Sequence, residues 1–336
     1  MKKILATLGP SSWQPAVIKG IAEQNVQLLR INLSHEPLEM IRERIELIRS
    51  CTDVDICLDS EGAQIRTCVM SKGEAVFGTG DRVIFDFNNT VCSTERLSFS
   101  PAGIVKQFMV GDVLSVDFHM AQFKVVEVQQ DHCVAEVICS GAVGSNKAAT
   151  LFRDIPLNPI TDKDRKAFTV GREMGVKHFA LSFAGSGEDV SQLRDLVGPE
   201  STIISKIESR RALFRLPEII SASDELLIDR GDLSREIPIE KIPFMQRRII
   251  SMAKLQDKPI YVATNCLESM RSSREPTRAE VNDIVSTLLM GSDGLVLAAE
   301  TTIGNYPVEA VKMVRKLIDS TARWTENTSL TEILDM

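Results

Sequence analysis

Asp55-Ile56-Cys57-Leu58-Asp59-Ser60-Glu61 is the stretch on which the fold turns. Its apolar run has no polar alternation, which is how a strand covered on both faces reads. The run ends abruptly in acid and hydroxyl side chains, the pattern of a buried strand opening onto a polar mouth. Working outward, the unit recurs. Residues 3–9 read as a buried strand and 14–23 as its helix; 26–34 and 38–50 repeat the pair, and 55–61 is the third strand. The alternation then stops. From residue 68 the chain is rich in Val, Phe, Gly and Asp, with turn signals at 78–81, 88–89, 111–112 and 141–145. Short strands at that spacing predict a small β-barrel or sandwich inserted into the main domain.

The α/β pattern resumes with a helix at 162–174 and a strand at 177–183. Strands follow at 202–208, 225–232, 259–265 and 294–300, separated by helical stretches at 187–196, 210–222, 243–255 and 277–290, and 307–324 closes the series. Eight strands alternating with eight helices predict a closed (β/α)₈ TIM barrel rather than an open sheet. The Gly-x-Gly-x-x-Gly fingerprint of a dinucleotide-binding open sheet is absent from the sequence. The expected division is barrel over 1–67, an inserted β lid domain over 68–155, and barrel again over 156–336.

The composition narrows the function classes. A chain of 336 residues, 43% hydrophobic and 25% charged, has the balance of a globular domain with room for an insertion. Its formal net charge of −7 argues against nucleic acid as a partner, because phosphate backbones need a basic footprint. Seven cysteines without a Cys-x-x-Cys pair read as reduced thiols of a cytoplasmic protein. The apolar stretch at the N-terminus is too short for a signal peptide, and no run of 18 apolar residues predicts a membrane span.

In such barrels the chemistry sits at the C-terminal ends of the strands. Here those ends carry Arg30 with Asn32, Ser34 and His35; Asp59-Ser60-Glu61 followed by Arg66; Lys206-Ile207-Glu208; Asp229-Arg230-Gly231-Asp232; Thr264-Asn265; and Glu300-Thr301. Lys206 and Glu208 are two residues apart, so on a strand they share a face, here the interior. Glu208 and Asp232 offer the oxygen ligands that Mg²⁺ or Mn²⁺ prefers, and Lys206 would neutralise an oxyanion or phosphoryl group beside the metal. Gly231 lets the backbone approach a ligand closely. Arg30 and Arg66 bring further cations suited to phosphate and carboxylate. Asn32, Ser34, Asp59 and Ser60 read either as oxygens for a monovalent cation or as a hydrogen-bonded polar patch.

These motifs, in their order and spacing, resemble those of pyruvate kinases. The matching stretches include Ala6-Thr7-Leu8-Gly9-Pro10, Arg30-Ile31-Asn32-Leu33-Ser34-His35, Lys206-Ile207-Glu208, Arg230-Gly231-Asp232-Leu233, Pro276-Thr277-Arg278-Ala279-Glu280 and Glu300-Thr301. The resemblance covers the barrel and, more weakly, the inserted lid. It implies phosphoryl transfer between phosphoenolpyruvate and ADP in the cytoplasm, giving pyruvate and ATP. It further implies that Glu208 and Asp232 hold Mg²⁺ and that Lys206 and Arg30 stabilise the phosphoryl group. Gly231, Asp232 and Thr264 would hold the substrate carboxylate, with Thr264 near the protonation site. Asn32, Ser34, Asp59 and Ser60 match the K⁺ site, and His35, Arg66 and Lys147 the nucleotide side.

The departures from the family pattern are specific. Its Lys-Gly-Pro-Glu is here Glu61-Gly62-Ala63-Gln64, so the glutamate that accompanies K⁺ dependence is neutral and only weak K⁺ stimulation is expected. Its Ala-Thr-Gln is Ala263-Thr264-Asn265, its Ser-Gly-Glu-Thr is Ala298-Ala299-Glu300-Thr301, and an Ile-Arg after the fourth strand is Ala184-Gly185. The family's C-terminal domain is expected to be missing, leaving a homodimer through the barrel or a monomer. Two other classes remain open on the same residues. One is a metal-dependent lyase or enolase-type enzyme acting on a 2-oxo acid; the other is a non-catalytic protein that binds a phosphometabolite.

Overall fold

Eight short apolar runs hydrogen-bond side by side into a closed parallel ring. They are β1 (Lys3–Leu8), β2 (Leu28–Asn32), β3 (Asp55–Asp59), β4 (His178–Leu181), β5 (Thr202–Ile207), β6 (Glu225–Asp229), β7 (Ile260–Ala263) and β8 (Gly294–Leu297). Each pairs with its neighbours in sequence, and β8 closes on β1 with Lys3 opposite Gly294. Closure there depends on glycine, because a Cβ at Gly294 would lie 2.2 Å from the Lys3 carbonyl oxygen. The computed structural model describes residues 2–62, 64–117 and 120–335; Met1, Ala63 of the departure noted above, Phe118, His119 and Met336 lie outside the described residues.

Contacts divide the chain into two units, Met1–Gly62 with Pro159–Met336, and Ala63–Asn158. In the first, alternate strand residues point inward. Leu5, Leu28, Cys57, Ala180, Ile204, Leu227, Tyr261, Ala263 and Val296 fill the ring as a packed core. The outward residues, such as Ile4, Ile31, Leu58, Phe179 and Ile203, bury under the helices. Those helices are α1 (Pro15–Ala22), α2 (Ile41–Cys51), α3 (Asp162–Glu173), α4 (Gly187–Val197), α5 (Leu216–Ala222), α6 (Ile242–Leu255), α7 (Arg278–Leu289) and α8 (Pro307–Arg323). Their starts are chemically marked. Thr161 with Asp164, and Thr277 with Glu280, form capping boxes on α3 and α7. The Asp164 carboxylate also accepts the amides of Glu61 and Gly62, tying the segment after β3 to the start of α3.

Every barrel strand stops one to three residues earlier than the sequence reading predicts, and at three of them the cause is visible. The run at 225–232 leaves the sheet after Asp229, whose carboxylate accepts the amides of Gly231 and Asp232 and starts a helical turn at Arg230–Leu233. The run at 259–265 stops at Ala263 because Thr264 and Asn265 have φ of 77° and 54°. The run at 294–300 turns into the short helix Ala299–Thr302, where buried Glu300 accepts the amides of Leu267 and Ala298.

The second unit is an eight-stranded, largely antiparallel sheet with a separate two-stranded ribbon, Glu74–Phe77 against Gly141–Gly144. Its longest hairpin, Ala121–Val128 with His132–Cys139, carries register shifts at Gln122/Phe123 and Val125/Glu127, which bend a sheet curling on itself. Ile65–Thr67 already pairs in this sheet, with Arg66 opposite both Ala148 and Ser100, so the chain has left the barrel before residue 67. A phenylalanine cluster forms the core. Phe85 meets Phe99 and Phe123 edge-on at centroid distances of 5.0 and 5.6 Å.

Phe85→Ala should cost about 3–5 kcal/mol, the usual range for emptying a buried aromatic position. Denaturant unfolding checks it, and a loss below about 1 kcal/mol would mean that the cluster repacks freely around the gap.

Candidate functional site

The inward parity that packs the ring with apolar residues reaches its upper end as charge. On β2, β3, β5 and β6 the next inward positions are Arg30, Asp59, Lys206 and Asp229, with Glu208 just past the end of β5. Arg30 Nη1 lies 3.0 Å from Asp59 Oδ2, and its Nε donates to the Thr7 hydroxyl. Lys206 Nζ stands 3.1 Å from Glu208 Oε2, 3.6 Å from Asp59 Oδ2 and 3.9 Å from Asp229 Oδ2, and it donates to the Ser182 hydroxyl. Ser182 in turn donates to the Ser60 carbonyl and to Asp59. A single ammonium therefore joins side chains from four neighbouring strand ends.

The electrostatics follow from this packing. Burial by itself would drive Lys206 toward neutrality, but the attraction of Asp59, then Glu208 and Asp229, outweighs it and raises its pKa. Glu208 goes the other way from an ordinary carboxylate: burial pushes it up to about 8, against the pull of Lys206. Its Oε1 accepts the Phe183 amide at 2.6 Å, whereas Oε2 is buried with only the lysine ion pair beside it among the described residues. Burial also acts on Asp229, but Lys206 and the Thr264 hydroxyl outweigh it and hold its pKa low.

Carboxylate oxygens of Glu208, Asp229 and Asp232 come within 4.8 Å of one another. Hard oxygen donors at this spacing, one of them an under-satisfied buried carboxylate oxygen, fit a divalent cation such as Mg²⁺ or Mn²⁺. Asp232 lies nearer solvent, with Oδ1 3.1 Å from Arg235 Nε.

Local backbone strain marks the same rim. Thr264 is β-branched yet left-handed at φ 77°, a conformation that costs energy and persists only where its surroundings impose it. Arg230 imposes it here by clamping the Thr264 carbonyl from Nε and Nη2 at 3.1 and 2.7 Å while Nη1 pairs with Asp283. Gly231 is obligatory at this contact, since a Cβ would meet Thr264 Cγ2 at 2.8 Å. Phe183, whose amide serves Glu208, has φ 53°.

The expected site residues divide into groups. Arg30, Lys206, Glu208, Gly231, Asp232 and Thr264 share this rim. Asn32 and Asp59 are opposite each other on β2 and β3, next to Ser60. Their oxygens already have protein partners: Asn32 Oδ1 accepts the Ser34 amide and the Ser60 carbonyl accepts Ser182. The oxygen types suit K⁺, but Asn32 Oδ1, Asp59 and the Ser60 carbonyl would each have to share or give up an existing partner. His35 is exposed on the turn after β2. Arg66 and Lys147 belong to the second unit, where Arg66 donates to the Asn146 carbonyl and Lys147 pairs with Asp117 at 2.8 Å. Sequence reasoning missed Asp229 as a third carboxylate, Asp59 as the counter-ion of both buried cations, and the Ser182 bridge. Strand parity could have found Asp229, which sits two residues beyond inward Leu227; the others depend on neighbouring strands that the linear chain does not reveal.

Comparison with known proteins adds an independent observation. A family model described as "Pyruvate kinase, barrel domain" matches residues 1–311. The chain is 33% identical over 327 residues to a pyruvate kinase of Methylorubrum extorquens, 31% over 327 residues to one of Bacillus licheniformis, and 32% over 334 residues to one of Thermococcus litoralis. These alignments cover 96, 94 and 97% of this chain but 68, 56 and 70% of the respective relatives, so it spans somewhat more than half to about two thirds of their length.

Lys206→Met would leave Asp59, Glu208 and Asp229 buried without their shared cation. Breaking a buried ion pair from one side costs about 3–5 kcal/mol, and urea unfolding of the variant should show a loss of that size. An unchanged midpoint would mean that water reaches this cluster and screens it.

Proposed function

The chain belongs to the pyruvate kinase family through its barrel domain, and on that premise we propose that it is a Mg²⁺-dependent phosphotransferase that moves the phosphoryl group of phosphoenolpyruvate to ADP. The observation that carries the reading is Lys206, a buried ammonium held charged beside a group of three carboxylates. Phosphoryl transfer asks a protein for positioning and charge stabilisation rather than covalent chemistry, and those are what this cluster offers.

In this reading Glu208 and Asp232 hold the divalent ion, Mg²⁺ or Mn²⁺, with Asp229 beside them. The chemistry such an ion supplies when bound is neutralisation of charge on the transferring phosphoryl oxygens. Lys206 and Arg30 hold the same oxygens from the protein side. Their tethers to Asp59, Ser182 and Thr7 fix them before substrate arrives, so little reorganisation is needed at the moment of transfer. Gly231, Asp232 and Thr264 face the substrate's carboxylate end, and Thr264 stands on the protonation side. Asn32, Ser34, Asp59 and Ser60 are the candidate K⁺ oxygens, and the neutral Gln64 that follows them in the chain supports weak stimulation. His35, Arg66 and Lys147 are assigned to the nucleotide. The setting proposed is the cytoplasm, with a homodimer through the barrel; among the described residues no helix is long and apolar enough to cross a membrane.

The test is a coupled assay with phosphoenolpyruvate and ADP, with and without Mg²⁺ and K⁺. Lys206→Met, with rates normalised to folded protein, should turn over about 100-fold more slowly or worse, the usual cost of losing one preorganised group at developing charge. Glu208→Gln should raise the Mg²⁺ concentration needed for half-activity. Turnover that needs no nucleotide would favour the lyase class instead, and a Lys206→Met enzyme at full speed would remove the phosphotransferase reading.

A further inference from the structure

Three donors at the rim converge on one atom. The Thr264 hydroxyl donates to Asp229 Oδ1 at 2.5 Å, and the amides of Gly231 and Asp232 point at the same oxygen from 3.1 and 3.4 Å. A hydroxyl and two backbone amides closing on one anionic oxygen form a carboxylate cradle, and here the carboxylate in it belongs to the chain. The cradle is rigid. Arg230 locks the Thr264 carbonyl in its left-handed turn, and Gly231 permits the close approach. Asp229 also changes the charge balance, since Asp59, Glu208, Asp229 and Asp232 face Arg30, Lys206 and Arg235. It is the fourth carboxylate against three cations.

We infer that Asp229 is a specificity-determining residue that competes with the substrate's carboxylate for the Gly231, Asp232 and Thr264 donors, weakening the binding of every ligand that brings a carboxylate to this rim. The inference rests on the phosphotransferase reading for the direction in which substrate lies, and it deepens that reading. The phosphoryl end of a ligand meets the cations Lys206 and Arg30, while the carboxylate end must displace an anionic side chain already bonded to the donors there. A phosphorylated ligand with a neutral hydroxyl at that end would instead donate to Asp229 and keep the cradle intact. Competition of this kind discriminates by penalising one ligand class rather than by improving contacts to another.

The experiment is calorimetric titration of oxalate, of phosphoenolpyruvate and of inorganic phosphate into the full chain with Mg²⁺ and no nucleotide, comparing the unmodified protein with Asp229→Ala and Asp229→Ser. Serine still caps the turn after β6 but is neutral and one atom shorter, so it covers the case in which alanine loses the fold. Both variants should bind oxalate and phosphoenolpyruvate about tenfold tighter or more, since charge-assisted bonds to the three donors become available to the ligand. Phosphate, which has no carboxylate, should gain less than about threefold from the reduced negative charge alone. Equal or weaker carboxylate binding in the folded variants, or failure of both to fold, would overturn the proposal and leave Asp229 as a helix cap. Phosphate gaining as much as oxalate would overturn it too, reducing the effect to net charge. Because no nucleotide is present, a protein that transfers no phosphoryl group refutes the proposed reaction without touching this result.

Discussion

A buried ammonium beside three carboxylates is the constraint from which the rest of the barrel's upper end follows. Lys206 is only 5% exposed, and a charge taken that far from water is tolerated only when its partners are close and well oriented. Asp59, Glu208 and Asp229 must therefore arrive from β3, from beyond β5 and from β6 with little freedom, and Ser182 from beyond β4 supplies the remaining acceptor. Those elements stay in register because their outward faces are locked under helices by Leu58, Phe179, Ile203 and Ile228. The apolar shell thus keeps a high-energy polar centre assembled. Burial raises the pKa of Glu208 against the pull of Lys206, so the lysine does not fully offset the cost of burying that carboxylate.

Strain at the rim borders the same centre. Thr264 and Phe183 adopt left-handed backbones that neither residue favours, and in each case a hydrogen bond to a member of the charged centre goes with the distortion. Arg230 is turned away from the interior and spends its guanidinium on the Thr264 carbonyl and Asp283. Its part is to support the rim from outside, although its place between Asp229 and Gly231 would suggest direct contact with a ligand.

Much of this was legible in the linear chain because parallel barrels write their structure in short-range patterns. Apolar runs such as 56–58 mark strands covered on both faces, and the two-residue period puts Lys206 and Glu208 on one side. The inserted unit showed itself through its change of composition. What stayed hidden is what the closing of the ring creates. Arg30 and Asp59 are 29 positions apart and Lys206 and Asp59 farther still, so no local pattern could reveal that one aspartate serves both cations. Strand ends were read too long for a similar reason. As read from sequence the strands run on into Arg230-Gly231-Asp232 and Thr264-Asn265, but a capping carboxylate and a left-handed threonine end them at Asp229 and Ala263. Asp229 itself was quoted within a motif, and its occupation of the cradle emerges only when β6 and β7 lie side by side.

The lower end of the ring has a consequence for traffic. Tyr261, fully buried, plugs the interior with Leu5, Leu28, Cys57 and Leu227 above and around it, and Lys3 bonds Glu225 across the base at 2.8 Å. The barrel is thus a cup and not a pipe. Whatever reaches Lys206 therefore comes from the rim formed by the strand ends, because the opposite end of the ring is packed shut.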